Sequence, residues 1–222
     1  MTSIKILMEK DFVSYYKIHS EVEADCISIQ YEQFDLEDMP SPIQVKSFGK
    51  GEVSFTNETY GYIDVLAYEN FVNQCKKPSS FLIGRKKCDY IAVHREDSGY
   101  AMLIELTSAL GTVQNLAKPI DKFPGGKYEK SEVQLEKSLK DLLSVNAIKE
   151  CLMSKKHRIC LLSYCINPHT DPDYLRKHPF ERYLKVESQT TAENGAEISN
   201  PAINALGFEY RRINHDFSFR LS

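Results

Sequence analysis

No stretch of the sequence approaches the roughly 18 uninterrupted apolar residues that a spanning helix needs, so no membrane-spanning helix is expected. The first ten residues, Met1 to Lys10, lack an apolar segment of the kind that directs export, and the expectation is an intracellular, cytoplasmic protein that does not engage a membrane. The six cysteines (Cys26, Cys75, Cys88, Cys151, Cys160 and Cys165) include no CxxC pair. That argues against a zinc ribbon and, without an export signal, against a disulfide framework. The six histidines are too dispersed for a zinc site, and neither HExxH nor a Ser/His/Asp order is present. Gly125-Gly126-Lys127 lacks the earlier glycine of a phosphate-binding Walker loop and has Tyr128 where that loop needs Ser or Thr. Internal repeats and low-complexity tracts are absent as well.

A strong charge of one sign is also missing: 28 Lys and Arg stand against 31 Asp and Glu, a net of −3. The balance is uneven along the chain. Residues 1 to 40 carry nine acids against three lysines, a net of −6, which leaves +3 for the remainder. A surplus that small does not define a nucleic-acid binder, because phosphate affinity depends on clustered cations. Such clusters occur at Arg85-Lys86-Lys87, Lys155-Lys156-His157-Arg158 and Arg211-Arg212, each by default a solvated element end.

What is present is a chain of 222 residues, 42% apolar, able to bury a core without metal or disulfide staples. Residues 1 to 60 read as an N-terminal extension packed on a core of residues 61 to 222. The extension breaks at Met39-Pro40-Ser41-Pro42 and contains a hairpin, Ile43 to Phe48 and Glu52 to Thr56, around Gly49-Lys50-Gly51. Apolar residues at 65, 68, 71, 72 and 75 predict a helix over 64–75 behind an Asp64 cap. Phe81 to Arg85, Cys88 to His94 and Tyr100 to Thr107 read as strands, the last with the continuous apolar run Ala101 to Ile104 of a strand covered on both faces. Residues 108 to 130 read as a long irregular connection. Ser131 to Met153 is an amphipathic helix with a Ser131–Gln134 capping box, and His157 to Ile166 is a buried strand. A polar helix over Asp173 to Ser188, a loop to residue 202 and a terminal hairpin from Phe208 to Leu221 complete the expectation.

Asp89 opens one strand and Glu105 lies near the end of the next. If the two are antiparallel neighbours joined by the 95–99 turn, their carboxylates meet at one sheet edge. Paired carboxylates in an apolar setting repel unless a cation lies between them, and a hard divalent ion suits oxygen ligands. The alternative is structural: Asp89 caps a turn and Glu105 pairs with Lys87 or Arg85 across strands.

The order helix, strand, strand, strand, helix, strand, with Lys87-Cys88-Asp89-Tyr90-Ile91-Ala92-Val93 followed by Leu103-Ile104-Glu105-Leu106-Thr107, resembles the PD-(D/E)XK nuclease superfamily over about residues 64 to 166. The resemblance implies an α/β (α+β) fold: a restriction-endonuclease-like αβββαβ core with a mixed central sheet flanked by helices. It implies Mg²⁺ (or Mn²⁺) held by Asp89, Glu105 and the backbone carbonyl of Leu106, with Glu69 as a third carboxylate. It further implies hydrolysis of DNA phosphodiester bonds, in defence or DNA processing. Gln134, with Leu135 and Ser138, resembles a "QL..S" pattern that several such families place near the site. The chain departs from the motif at Thr107, where the family has lysine, and a neutral hydroxyl neither activates water nor offsets phosphate charge well. Lys127 and Lys130 are the nearest replacements in sequence, with Lys137 one turn further on. Tyr15, Tyr16, Tyr31 and Phe34 near the N-terminus, and Arg211, Arg212 and Arg220 near the C-terminus, would then serve recognition. The competing reading is a catalytically inactive nuclease-fold scaffold that binds nucleic acid or a partner protein, a second copy of the chain included. Thr107 and the acidic first forty residues favour it.

Overall fold

The computed structural model describes residues 3–37, 42–75, 87–111, 113–167, 172–177 and 194–222. The chain opens with a helical segment that begins as α1 (Ile4–Leu7), widens into a π-helical turn (Met8–Phe12) and closes as α2 (Val13–Tyr15). Its buried side chains, Ile4, Leu7, Met8 and Phe12, recur at helical spacing and enter the principal core. Strands β1 (Cys26–Ile29), β2 (Gln33–Leu36), β3 (Val53–Asn57) and β4 (Ile63–Ala67) follow, then α3 (Tyr68–Gln74). The central part comprises β5 (Tyr90–His94), β6 (Tyr100–Leu110), a 3-10 turn (Val113–Leu116), α4 (Gly126–Leu143), α5 (Asn146–Met153) and β7 (His157–Asn167). Beyond it lie α6 (Pro172–Lys177), β8 (Ala196–Glu197), α7 (Pro201–Asn204), β9 (Glu209–Asn214) and β10 (Ser218–Leu221).

Among the described residues the strands form a seven-stranded sheet, β1-β4-β5-β6-β7-β9-β8, and a three-stranded sheet, β10-β3-β2. β4, β5 and β6 are successively antiparallel, whereas β7 returns parallel to β6 after the α4–α5 crossover, so the sheet is mixed. Alternation along the central strands divides the core. Leu103 and Leu162 face the helices, while Met102, Ile104 and Leu161 face the small sheet. The result is a layer of helices, a central sheet and a second sheet, a mixed α/β fold. The continuous apolar run of β6 follows from cover on both faces. On α4, Leu135, Leu139 and Leu142 are each fully buried, contributing about 1.5–3 kcal/mol apiece. Among the described residues no helix is long and apolar enough to cross a membrane.

Several elements differ from expectation. Residues 63–67 form a strand and only Tyr68–Gln74 is helical: Ile63-Asp-Val-Leu-Ala67 is buried along its whole length between two layers, which hides the two-residue period and leaves positions 65 and 68 looking helical. The 43–56 hairpin does not form. β3 pairs instead with β2 and β10, and residues 43–48 contribute one isolated bridge, Lys46 to Asp35. The terminal strands do not pair with each other either; β9 joins the large sheet and β10 the small one. The long helix is two, broken where Val145 turns extended, and α4 starts five residues before Ser131. The predicted strand over 81–85 and most of the polar helix over 173–188 lie outside the described residues.

His94 closes β5 and is 3% exposed. Its Nδ1 accepts a hydrogen bond from the Tyr100 amide at 3.0 Å, and burial lowers its pKa to about 4, so the folded chain holds it neutral. Between pH 6.5 and 4 the unfolded chain binds a proton that the folded chain does not. Stability therefore falls as pH drops through that window, by about 3 kcal/mol at most, and is regained above it. In urea titrations from pH 7 to pH 4, His94→Gln should lose most of this dependence; an identical slope in both proteins would exclude His94 as its source.

Candidate functional site

Tyr90 lies opposite Ile104, so Asp89, one residue before β5, comes alongside Glu105. Three sets of hydrogen bonds fix Asp89 there. Its amide donates to Ile104 O (3.1 Å), its carbonyl accepts from the Tyr68 and Glu69 amides (2.8 and 3.4 Å), and its Oδ2 accepts from the Leu106 amide (2.7 Å). The side chain thus continues the ladder where the backbone of β5 has left it, and starts α3 at the same point. Glu105, 4% exposed, stands on the helix-facing side of β6 with Leu103. Both carboxylates act on one group. Burial pushes the Cys88 thiol pKa well up, Glu105 and Asp89 raise it further, and the hydrogen bond with Ser138 opposes them.

α4 places a polar stripe over this corner. Lys127, Ser131, Gln134 and Ser138 follow one another at intervals of four, three and four, one face of a helix. Gln134 Nε2 donates to Lys87 O (2.7 Å) and Ser138 Oγ accepts from the Cys88 amide (2.8 Å). These are the two ends of a single peptide group, immediately before Asp89. Gln134 Oε1 is buried and has no hydrogen-bond partner among the described residues. Lys127 Nζ donates to the Ser108 carbonyl, one residue beyond Thr107. Gly126 makes that approach available: at φ +70° it turns the chain into α4, and a Cβ there would lie 2.4 Å from Lys118 O. Ser131 is buried a full turn inside the helix, so it is no capping residue.

The remaining predicted residues separate from this group. Lys130 is half-buried on α4 and makes no hydrogen bond or ion pair among the described residues; Lys137 is exposed. Glu69 meets Asp89 only through its amide, and its side chain acts on Lys87. Among the described residues no three acid, histidine or cysteine side chains gather in a way that could hold a metal ion, so Glu69 does not complete a three-carboxylate set. Lys87 is not the cross-strand partner of Glu105: its Nζ donates to Asn73 Oδ1 at 2.5 Å, and burial lowers its pKa against the opposing pull of Glu69. Arg85 lies outside the described residues.

Asp89 and Glu105 thus share one partly buried corner, and Leu106 lies one position beyond Glu105 on β6. The sequence alone did not reveal three of the neighbours that complete the corner, Tyr128 and Glu132 on α4 and Tyr164 on β7; it marks Arg212 on β9, with Arg211 and Arg220, for recognition but does not place it beneath α4. Strand alternation sends Arg211 to Glu209 and Arg212 beneath α4. Comparisons with models of protein families, with curated proteins and with solved structures find no match for this chain.

Replacing Ser138 by Ala leaves the buried Cys88 amide without its acceptor. We expect a loss of about 1–3 kcal/mol in urea unfolding, against no more than about 0.5 kcal/mol for Ser144→Ala on the exposed side of the same helix. Equal, small effects would mean that the clamp does not hold the peptide.

Proposed function

We propose that this chain is a Mg²⁺- or Mn²⁺-dependent nuclease of the PD-(D/E)XK type, hydrolysing phosphodiester bonds of DNA in the cytoplasm, with Lys127 in the role that Thr107 vacates. The observation that carries the reading is the meeting of Asp89 and Glu105 at the end of an antiparallel pair, with a lysine ammonium one residue from Thr107. The sheet topology lends further support: β4, β5 and β6 are successively antiparallel, with α3 between β4 and β5, and β7 returns parallel to β6 after the α4–α5 crossover.

In this reading Asp89 and Glu105 hold the ion, and Gln134 and Ser138 hold the peptide that aims Asp89. When bound, the ion supplies Lewis acidity toward the scissile phosphate and a more acidic water. Lys127 brings positive charge from α4 to the same strand, where it offsets phosphate charge and orients the attacking water. Free thiols at all six cysteines fit a reducing compartment.

A second reading draws support from the donor count. With two carboxylates gathered and Asp89 Oδ2 engaged by the Leu106 amide, the corner also suits a scaffold that retains the fold without catalysis, binding nucleic acid or a partner protein.

Calorimetric titration of Mg²⁺ and Mn²⁺ into the full chain should show binding that Asp89→Ala and Glu105→Ala abolish. On plasmid DNA, Asp89→Asn, Glu105→Gln and Lys127→Ala should each slow cleavage by about 100-fold or more, while Lys130→Ala stays within about twofold. Cleavage that survives Asp89→Asn overturns the nuclease assignment. Absence of both ion binding and cleavage in the unaltered chain selects the scaffold.

A further inference from the structure

Glu105 stands opposite Leu162 in the β6–β7 pair, and Leu162 stands opposite Arg212 in the β7–β9 pair. Registered residues of parallel strands share a face, so Glu105 and Arg212 lie in one row on the helix side of the sheet. At the usual strand spacing they are about 10 Å apart. Leu162 stands between them, and Thr107 and Tyr164 come next along the same face, with Tyr128 of α4 edge-on to Tyr164. The Arg212 guanidinium rests 4.2 Å from the Tyr128 ring centroid and 5.4 Å from that of Tyr210. Its Nε donates to Tyr210 Oη at 2.9 Å and its Nη2 to Glu132 Oε1.

Two features separate this arginine from an ordinary surface ion pair. It is held by two tyrosines, the rings of Tyr128 and Tyr210 and the hydroxyl of the latter, which preorganises a fork that matches phosphate oxygens. Its carboxylate partner is within reach of an incoming ligand, since both side chains remain about a quarter exposed. Arg211, next in sequence, makes the contrast: it points to the other face and is engaged by Glu209 and Glu197 at the sheet edge.

We infer that Arg212 is a second anion-binding position of the same site, taking a nucleic-acid backbone phosphate beside the scissile one, and that Glu132 occupies that position until the phosphate displaces it. The inference rests on the nuclease reading above and adds to it a place for the flanking backbone together with a built-in competitor for that place. Phosphate has the advantage in the exchange because each contact to a polyanion also releases condensed counterions, which a lone carboxylate cannot do. The Glu132 carboxylate in turn keeps the guanidinium compensated in the absence of nucleic acid, so that a half-buried cation is not left exposed to weaker anions.

The test is binding of a fluorescein-labelled DNA duplex to the full chain in EDTA, where hydrolysis does not interfere, across a range of salt concentrations. Glu132→Gln should tighten binding by about three- to tenfold. Arg212→Gln should weaken it by about tenfold and lower the slope of log affinity against log salt by about 0.9, a readout that a merely structural role would not move. In the double variant the gain from Glu132→Gln should disappear, because there is no longer an arginine to release. Should Arg212→Gln fail to fold, Glu132→Gln and Arg212→Lys carry the test, the latter keeping the charge but losing the fork and weakening binding. Unchanged affinities in Glu132→Gln and in the arginine variant, with the unaltered chain binding and cleaving DNA, overturn this inference alone. An unaltered chain that binds no DNA in EDTA or in Mg²⁺ overturns the nuclease reading with it.

Discussion

The peptide group between Lys87 and Cys88 is the constraint on which the corner depends. It lies under a helix, away from water, where an unsatisfied N–H or C=O would cost more than an ordinary hydrogen bond returns. α4 meets both ends with Gln134 and Ser138, one turn apart, and thereby fixes the distance and rotation of the helix over the sheet. Leu135, Leu139 and Leu142 supply the apolar attachment of the same helix to the core. The polar stripe adds direction to that attachment, since an apolar face tolerates small slides and a clamped peptide does not.

From that clamp the rest of the corner follows. Asp89 leaves it as the next residue along, and its three connections tie β6, α3 and the end of β5 together. Glu105 and Asp89 both lie close enough to the Cys88 thiol to add to the upward pressure that burial puts on its pKa. Positive charge lies near the corner from two sides, Lys127 at the first turn of α4 and Arg212 from β9, the latter paired with Glu132. The C-terminal ends of β6, β7 and β9 run parallel here, the position in α/β sheets at which crevices open.

Much of this was legible in the sequence and some of it was not, for physical reasons. β5, β6 and β7 announce themselves through apolar runs with turn chemistry between them, and the Asp89–Glu105 juxtaposition follows from one antiparallel pairing across a short turn. α4 is legible by periodicity, although its true start is concealed by Gly125-Gly126, which reads as loop and works as the turn into the helix. Pairings across short turns are legible in this sequence; pairings between distant segments are not. β3 was assigned to the neighbouring segment 43–48 because hairpins between adjacent runs are the default, whereas its partners are β2 and β10. The position of Arg212 needs two successive strand registers, neither of which a basic dipeptide encodes. Residues 64–67 read in sequence as the start of the 64–75 helix because a strand buried on both faces loses the alternation that marks it.

The parallel pairing of β10 with β3 has a consequence for how the chain acquires its shape. Ser218 registers with Ser54 and Leu221 with Asn57, and Thr56 and Ser218 share a hydroxyl hydrogen bond 162 positions apart. During synthesis the hydrophobic edge of β3, with Phe55 waiting for Phe219, stays uncovered until residue 221 has emerged from the ribosome. Long-range pairings of this kind slow folding and leave sheet edges exposed to other nascent chains, so the edge of β3 is vulnerable for as long as β10 has not reached it.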